Sequence, residues 1–492
     1  MGDRTFQLEA GEFVTDQGAR QVVKFVGPNA SCEKTHITLV AGANGTSKSR
    51  MLASIVDRLC ELHDERVGSR GSKTHRSSGT HGLTCTQLIT RSANNDVESS
   101  TSSPTFPSKI LVLSNLVMDR FRFAQNDPDE DTFYQYLGVR QATNLMTTGS
   151  MQRSVFEAVI ALYQNTAKRN LFQRWLELVF GGPREIALTF SRISRTQLGR
   201  YLSDPDPQET FGERIFRSRG DARSVTERMR EEVRAAVPKL RNLFALLYEL
   251  ADEGQKSSVK VSRGAGLLLR LDNLPDHALS DLANLQGGFS AAVRGRFFAW
   301  PSVTIEGSPW SAWIDFSQLS SGEQNIISTG AKLISHAEPG CLIAIDEPEI
   351  SLNTAWQQHY TDLVLKSLAQ ASGSHVFIAT HSPHLIASLP AGEASVVLME
   401  KHGKQLETST VDAEFEGWGA ESVLYQVLDI PLASNFKFQR ELALVLSHIQ
   451  GHGTDRDLLD AFIYKAERLN LEGTDALAEL VGSIKEYRAN LE

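Results

Sequence analysis

The sequence predicts an α/β fold built on a mainly parallel sheet, and three stretches carry that prediction. The first is Cys341-Leu342-Ile343-Ala344-Ile345, an apolar, β-branched run too short for a helix, which ends on the adjacent carboxylates Asp346 and Glu347. Such a run reads as a strand buried on both faces. The second is Val376-Phe377-Ile378-Ala379-Thr380, a similar strand that ends on His381. The third is His36-Ile37-Thr38-Leu39-Val40-Ala41, which passes straight into Gly42-Ala43-Asn44-Gly45-Thr46-Ser47-Lys48-Ser49. A helix from Arg50 to Leu62 follows, with Met51, Leu52, Ile55, Val56 and Leu59 at helical spacing.

Each of these stretches also implies chemistry. A strand, a glycine-containing loop and a helix make a phosphate cradle, in which the backbone of Gly42, Asn44, Gly45, Thr46 and Ser47 and the helix N-terminus face the phosphates. Lys48 then reaches the outer phosphates and the Ser49 hydroxyl ligates Mg2+. Ser47 stands at the last glycine position of the G-x-x-x-x-G-K-[ST] pattern, which a serine tolerates if its φ is negative. Two adjacent carboxylates at a buried strand end need a reason, and nucleoside triphosphate hydrolysis supplies one. Asp346 holds Mg2+ through its water shell, and Glu347 orients or deprotonates the attacking water.

With 492 residues the chain exceeds one compact core, so a main domain with an elaborated second lobe is expected. No apolar run is long enough for a membrane span, and Met1 to Ala10 lack the pattern of a secretion signal. The four scattered cysteines have no metal-binding spacing and point to a reducing cytoplasm. A net charge of −9 argues against a chain coated in nucleic acid, while leaving room for a local basic groove.

Along the chain, residues 1–114 read as the N-terminal half of the main domain. Within them 68–108, rich in Ser, Thr, Gly and Asn, read as an exposed mobile insertion. The strand Lys109 to Leu113 resumes the sheet. Residues 115–315 read as a mainly helical lobe, with helices at Val155–Lys168, Leu171–Phe180, Thr196–Tyr201, Val225–Leu250 and Leu279–Leu285, and one strand at Leu267–Leu271. Between Phe211 and Arg241 stand nine Lys or Arg against five Asp or Glu, a solvated helix face or a contact surface for nucleic acid or an acidic partner. Residues 316–405 return to the main domain, and 406–492 read as a helical tail.

Residues 36–49 and 319–383 together resemble the ABC-type ATPases of the SMC, RecF and OLD (overcoming lysogenization defect) group. The run Asp346-Glu347-Pro348-Glu349-Ile350-Ser351-Leu352-Asn353, followed by Trp356-Gln357, is most similar to the Septu-like branch of anti-phage defence ATPases. The resemblance implies an ABC-type P-loop ATPase head that binds ATP and Mg2+. It also implies at least a head-to-head homodimer, in which Ser320, Ser321, Gly322 and Glu323 of one subunit close over the γ-phosphate held by Lys48 of the other. His381 would be the switch histidine. A plain alternative for Ser320-Ser321 is a helix N-cap. ABC-type sheets commonly carry a Mg2+-sensing glutamine after the strand that here ends at Leu113; this chain has Ser114 and Asn115 instead.

Relatives in the OLD branch often carry a C-terminal TOPRIM nuclease, for which this tail offers only Asp455-Arg456-Asp457 without a preceding strand. No intrinsic nuclease is expected, and the destructive step is assigned to a separate effector such as a nuclease. The alternative is a RecF- or SMC-like DNA-repair ATPase acting directly on DNA, although the long heptad arms of SMC proteins are absent.

Overall fold

The computed structural model describes residues 4–27, 30–68, 82–92, 105–116, 119–122, 133–139, 148–217, 227–251, 260–261, 264–307, 312–390, 392–402, 405–412, 420, 423–424, 436–467 and 476–491. In chain order, β1 (Gln7–Thr15) and β2 (Arg20–Lys24) form a hairpin before β3 (His36–Gly42) and α1 (Lys48–Val67). β4 (Leu83–Arg91), β5 (Ile110–Ser114) and β6 (Tyr134–Tyr136) follow. The next region holds α2 (Thr148–Tyr163), α3 (Thr166–Phe180), β7 (Ile186–Ser191), α4 (Arg195–Leu202), α5 (Pro207–Arg217) and α6 (Glu227–Leu250). It continues through β8 (Lys260–Val261), β9 (Gly264–Arg270), α7 (Asp276–Asn284), α8 (Gln286–Arg294), β10 (Ser302–Gly307) and β11 (Ala312–Asp315). Then come α9 (Ser321–His336), β12 (Leu342–Asp346), α10 (Thr354–Ser367), β13 (His375–Thr380), α11 (Pro383–Ala387), β14 (Ala394–His402) and β15 (Gln405–Asp412). Helices α12 (Phe436–Gln450), α13 (Arg456–Glu467) and α14 (Ala476–Ala489) close the chain.

The central sheet has seven strands in the order β15-β14-β3-β13-β12-β5-β6, and every neighbouring pair is parallel except β14 with β15. This is an α/β fold with a mainly parallel central sheet. Alternation along β12 shows how the sheet is sandwiched. Leu342 and Ala344 face one core with Met51, Ile55 and Leu59 of α1, while Ile343 and Ile345 face a second core shared with α2, α3 and α9. Strands buried on both faces are near-continuously apolar, which is why these three were readable.

Four expectations need correction. Residues 68–108 are not one loose insertion: residues 83–91 form a nine-residue strand, β4, paired antiparallel with β1, with Leu83 and Cys85 buried and Thr84 exposed. The alternating pattern is real, but the surrounding Ser- and Gly-rich composition hid it. The head also extends past residue 114, because Tyr134–Tyr136 adds a sheet edge parallel to β5 that is too short to stand out in sequence. The expectation of helices with a single strand in the lobe was incomplete: besides its helices it carries a five-stranded antiparallel sheet, β11-β10-β7-β9-β8, whose strands Ile186–Ser191 and Ser302–Gly307 were not anticipated. Lastly, the tail begins with a strand, since β15 folds back on β14.

The three tail helices pack around their own core of Phe438, Val445, Leu459, Phe462 and Ile484. A further tail helix expected at Ser422–Leu428 lies largely outside the described residues. Among the described residues no helix is long and apolar enough to cross a membrane.

Candidate functional site

The order β3-β13-β12 sets three strand ends side by side, and each delivers one part of the site. Ala41 pairs with Thr380, and Ala379 pairs with Asp346, so the loop after β3, His381 and the two carboxylates share one edge of the sheet. Ligands of open parallel sheets bind at this carboxyl edge.

The loop itself is shaped by close approach. Gly42 has φ +154, and a Cβ there would lie 2.3 Å from the Met399 carbonyl oxygen on β14. The Thr46 hydroxyl donates to the Ala43 carbonyl at 2.8 Å, closing the turn. Ser47 has φ 74, the left-handed region, so the condition under which a serine is tolerated there without strain is not met, and its side chain makes no cap bond to α1. Two consequences follow. The first N–H groups of a twenty-residue helix are left without a side-chain cap, which is the condition for anion binding. The serine also carries a left-handed penalty of about 1–2 kcal/mol, which glycine would avoid. Ser47→Gly should therefore raise the denaturation midpoint slightly, the relief exceeding glycine's extra chain entropy of about 0.5–1 kcal/mol. A lowered midpoint would contradict strain at this position.

Lys48 folds into the cradle. Its Nζ donates to the carbonyls of Gly42 (3.0 Å) and Ala43 (3.2 Å) and lies 2.9 Å from His381 Nε2. Burial pulls the ammonium down to about 8, and the charges of Glu347, Glu349 and Asp346 oppose that fall. Burial, followed by Lys48, lowers His381, so near neutral pH a neutral ring accepts from the ammonium.

Ser49 donates to Asp346 Oδ1 at 2.8 Å, which ties the phosphate loop to the strand end. Asp346 is fully buried, and its Oδ2 has no hydrogen-bond partner. Burial pushes this carboxyl up to about 7, against the Ser49 bond; Glu347, Asp119 and Glu349 add to the rise. An orphaned buried carboxylate oxygen beside a hydroxyl suits a hard cation such as Mg2+, whose arrival would displace the proton. Glu347 has φ 47, its N–H bonds the Ala379 carbonyl at 2.9 Å, and its Oε1 lies 3.4 Å from His381 Nε2.

Sequence reading gave Glu349 no role, yet it fixes the backbone of His381. Its Oε1 accepts from the His381 backbone N–H (2.6 Å) and from the Thr380 hydroxyl (2.8 Å). The signal was present as a third carboxylate in Asp346-Glu347-Pro348-Glu349.

The segment Ser320–Glu323 takes the helix-start geometry. Ser320 Oγ accepts from the Glu323 N–H at 3.3 Å, and Glu323 Oε2 accepts from the Ser320 N–H at 2.8 Å, forming a capping box. Ser321 and Gly322 open α9, and a Cβ on Gly322 would lie 2.4 Å from the Ser351 carbonyl oxygen. Within the chain, then, these residues cap and pack. Asn325 Nδ2 donates to the Ile350 carbonyl (2.7 Å) and its Oδ1 accepts from Asn115 Nδ2 (2.8 Å). Asn115, at the position where a glutamine was sought, thus links β5 to α9. Ser114 turns inward to accept from the Leu116 N–H at 3.3 Å. Asn353 caps α10 through the Trp356 N–H at 2.8 Å.

Residues 171–387 match the family described as "AAA domain, putative AbiEii toxin, Type IV TA system". That span holds the carboxylates, His381 and α9, while the phosphate loop lies upstream of it. No curated protein matches the chain. Among solved structures, the Smc head bound to the C-winged helix domain of ScpA is similar at 12% identity over 83% of this chain and 98% of that one, with a TM-score of 0.29. The Smc head with an extended coiled coil, bound to the C-terminal domain of ScpA derived from Pyrococcus furiosus, is similar at 11% identity over 83% and 97%, with a TM-score of 0.31. The ADP conformation of MJ1267, an ATP-binding cassette of an ABC transporter, is similar at 11% identity over 86% and 95%, with a TM-score of 0.29. Likeness at this level carries no argument about activity.

Proposed function

We propose that the chain binds ATP with Mg2+ in this cradle and hydrolyses it. The observation that carries the reading is the Ser49–Asp346 hydrogen bond, with the unpartnered Asp346 Oδ2 beside it. Ser49 and Asp346 would hold Mg2+, which when bound neutralises phosphate charge. Lys48 leaves its two carbonyls and His381 for the outer phosphates. Glu347 positions the attacking water and takes its proton, while Glu349 keeps the His381 backbone in place to register the γ-phosphate.

The finer reading has two heads closing over ATP, with Ser320–Glu323 of one facing Lys48 of the other. Opening of the capping box would free the Ser320 hydroxyl and the N-terminus of α9 for phosphate. The ATPase would scaffold or restrain an effector, such as a separate nuclease, in anti-phage defence.

One observation supports assigning the destructive step to a partner. Asp455, the first carboxylate of the tail pair, caps α13 by accepting from the Leu458 N–H at 3.1 Å. The docking surface is the Arg214–Arg241 segment, of which part lies outside the described residues. Arg214 itself is committed to packing, 3.9 Å above the Phe297 ring, whereas Arg230, Arg234, Lys239 and Arg241 are exposed on α6. The same exposed cations favour the second reading, direct action on DNA.

Purified alone, the chain should leave DNA and RNA uncut in Mg2+ or Mn2+. Reversal of Arg230, Arg234 and Arg241 to Glu should detach a polypeptide that co-purifies from the native host, with ATP turnover unchanged. Metal-dependent cleavage lost on mutation of Asp455 and Asp457 would overturn the division of labour. Loss of DNA binding in place of a polypeptide would favour the second reading.

A further inference from the structure

β12, which ends at the candidate site, begins beside a cavity on the opposite edge of the sheet. Ser108, Phe133 and Gly340, just before β5, β6 and β12, line it, and so do His63 and Arg66 near the end of α1. Helix α1 starts at the phosphate loop and has twenty residues, so it separates the two places by about 30 Å. The cavity measures about 520 Å³, inside the range of about 300–1,000 Å³ common to small-molecule sites.

Its walls combine aromatic faces with cationic side chains. The His63 ring is stacked on Phe133, with centroids 3.8 Å apart and planes 5° from parallel. Phe106 meets Phe133 edge-on at 6.4 Å, and the Arg66 guanidinium sits 5.3 Å above the Phe106 ring. Arg4 also lines the cavity, and among the described residues neither Arg4 nor Arg66 has a carboxylate partner. Asp64 Oδ1 lies 4.0 Å from His63 Nδ1. Thr5, Ser92, Thr105, Ser108, Val67 and Pro107 also line it, and the Thr5 and Ser92 hydroxyls bond each other at 3.0 Å.

We propose that this cavity is a second ligand site, distinct from the phosphate cradle, that takes a nucleobase carrying a phosphate. His63 already covers one face of Phe133 and Arg66 one face of Phe106, so a flat aromatic ring would stack on the remaining face of either, and stacking of this kind holds any base. Guanidinium groups without a carboxylate partner select an anion, and arginine pairs with phosphate through two parallel N–H bonds. The hydroxyls suit the polar edges of base and sugar. A neutral lipid would leave the arginines unpaired, and a metal cation would be repelled by them. The shared chemistry belongs equally to a free mononucleotide and to the phosphorylated end of a single strand.

The test uses the full chain carrying Lys48→Ala, so that the phosphate loop contributes least. Adenosine and guanosine monophosphates, a 5′-phosphorylated hexanucleotide, adenosine and inorganic phosphate are titrated calorimetrically. At least one of the phosphorylated nucleotides should bind, and Arg66→Glu and Phe106→Leu should each weaken it at least about tenfold. Arg66→Lys should retain part of the affinity. Arg66 is exposed, so its reversal leaves the fold intact, which an unchanged thermal midpoint confirms. Tighter binding of the monophosphates assigns a free nucleotide, and tighter binding of the hexanucleotide assigns a strand end. The proposal is overturned if no nucleotide binds, if binding is indifferent to both Arg66→Glu and Phe106→Leu, or if inorganic phosphate binds as well as the nucleotides. Binding that Arg66→Glu removes belongs to this cavity whether or not the phosphate loop also binds ATP, so the two assignments fail separately.

Discussion

Lys48→Ala should weaken binding of a labelled ATP about 100-fold, equivalent to about 3 kcal/mol. The argument rests on where the ammonium sits. It is buried, burial pulls it down to about 8, and its partners are two loop carbonyls and a neutral ring, with no carboxylate hydrogen-bonded to it. A lysine lowered in this way still carries its charge near neutral pH, at a cost to stability that an arriving anion would offset. Its removal should not unfold the apo protein, and the loss should show in binding alone. Undiminished binding would remove the phosphate loop from the ATP site.

Legibility in the sequence followed the range of each interaction. The loop after β3, Asp346-Glu347 and His381 are local motifs at the ends of doubly buried strands, so strand pattern and motif point to the same edge of the sheet. The φ of Ser47 was not legible because it is set by the closed turn around Ala43 and Thr46, which spacing does not encode. The Asn115–Asn325 link was out of reach for a different reason: its partners are 210 residues apart and look like ordinary polar residues. Glu349 sat inside a run already being read, yet its bond to the His381 backbone spans 32 residues. Strands of the lobe's antiparallel sheet were missed because Ile186–Ser191 is a short apolar run bounded by helices, and such runs do not declare their state by periodicity.

Glu347→Gln should bind ATP yet turn it over at least about 100-fold more slowly, the usual contribution of a positioned general base. The amide preserves shape, and the backbone that aims this side chain is held independently by the Glu347 N–H to Ala379 bond in an uncommon left-handed conformation. Binding should survive because Lys48, Ser49 and the N-terminus of α1 are untouched. With hydrolysis blocked, ATP should also hold two heads together, seen as a gain in mass by light scattering. Full turnover by this variant would pass the role of base to another group, with His381, 3.4 Å away, the first to examine.

Phosphate release from ATP by the purified chain, measured with Mg2+ and again with excess chelator, beside Glu347→Gln, tests the central claim most directly. The account predicts release that requires Mg2+ and falls at least about 100-fold in the variant. Absence of release from the wild-type chain in Mg2+, or equal release from chain and variant, would contradict it.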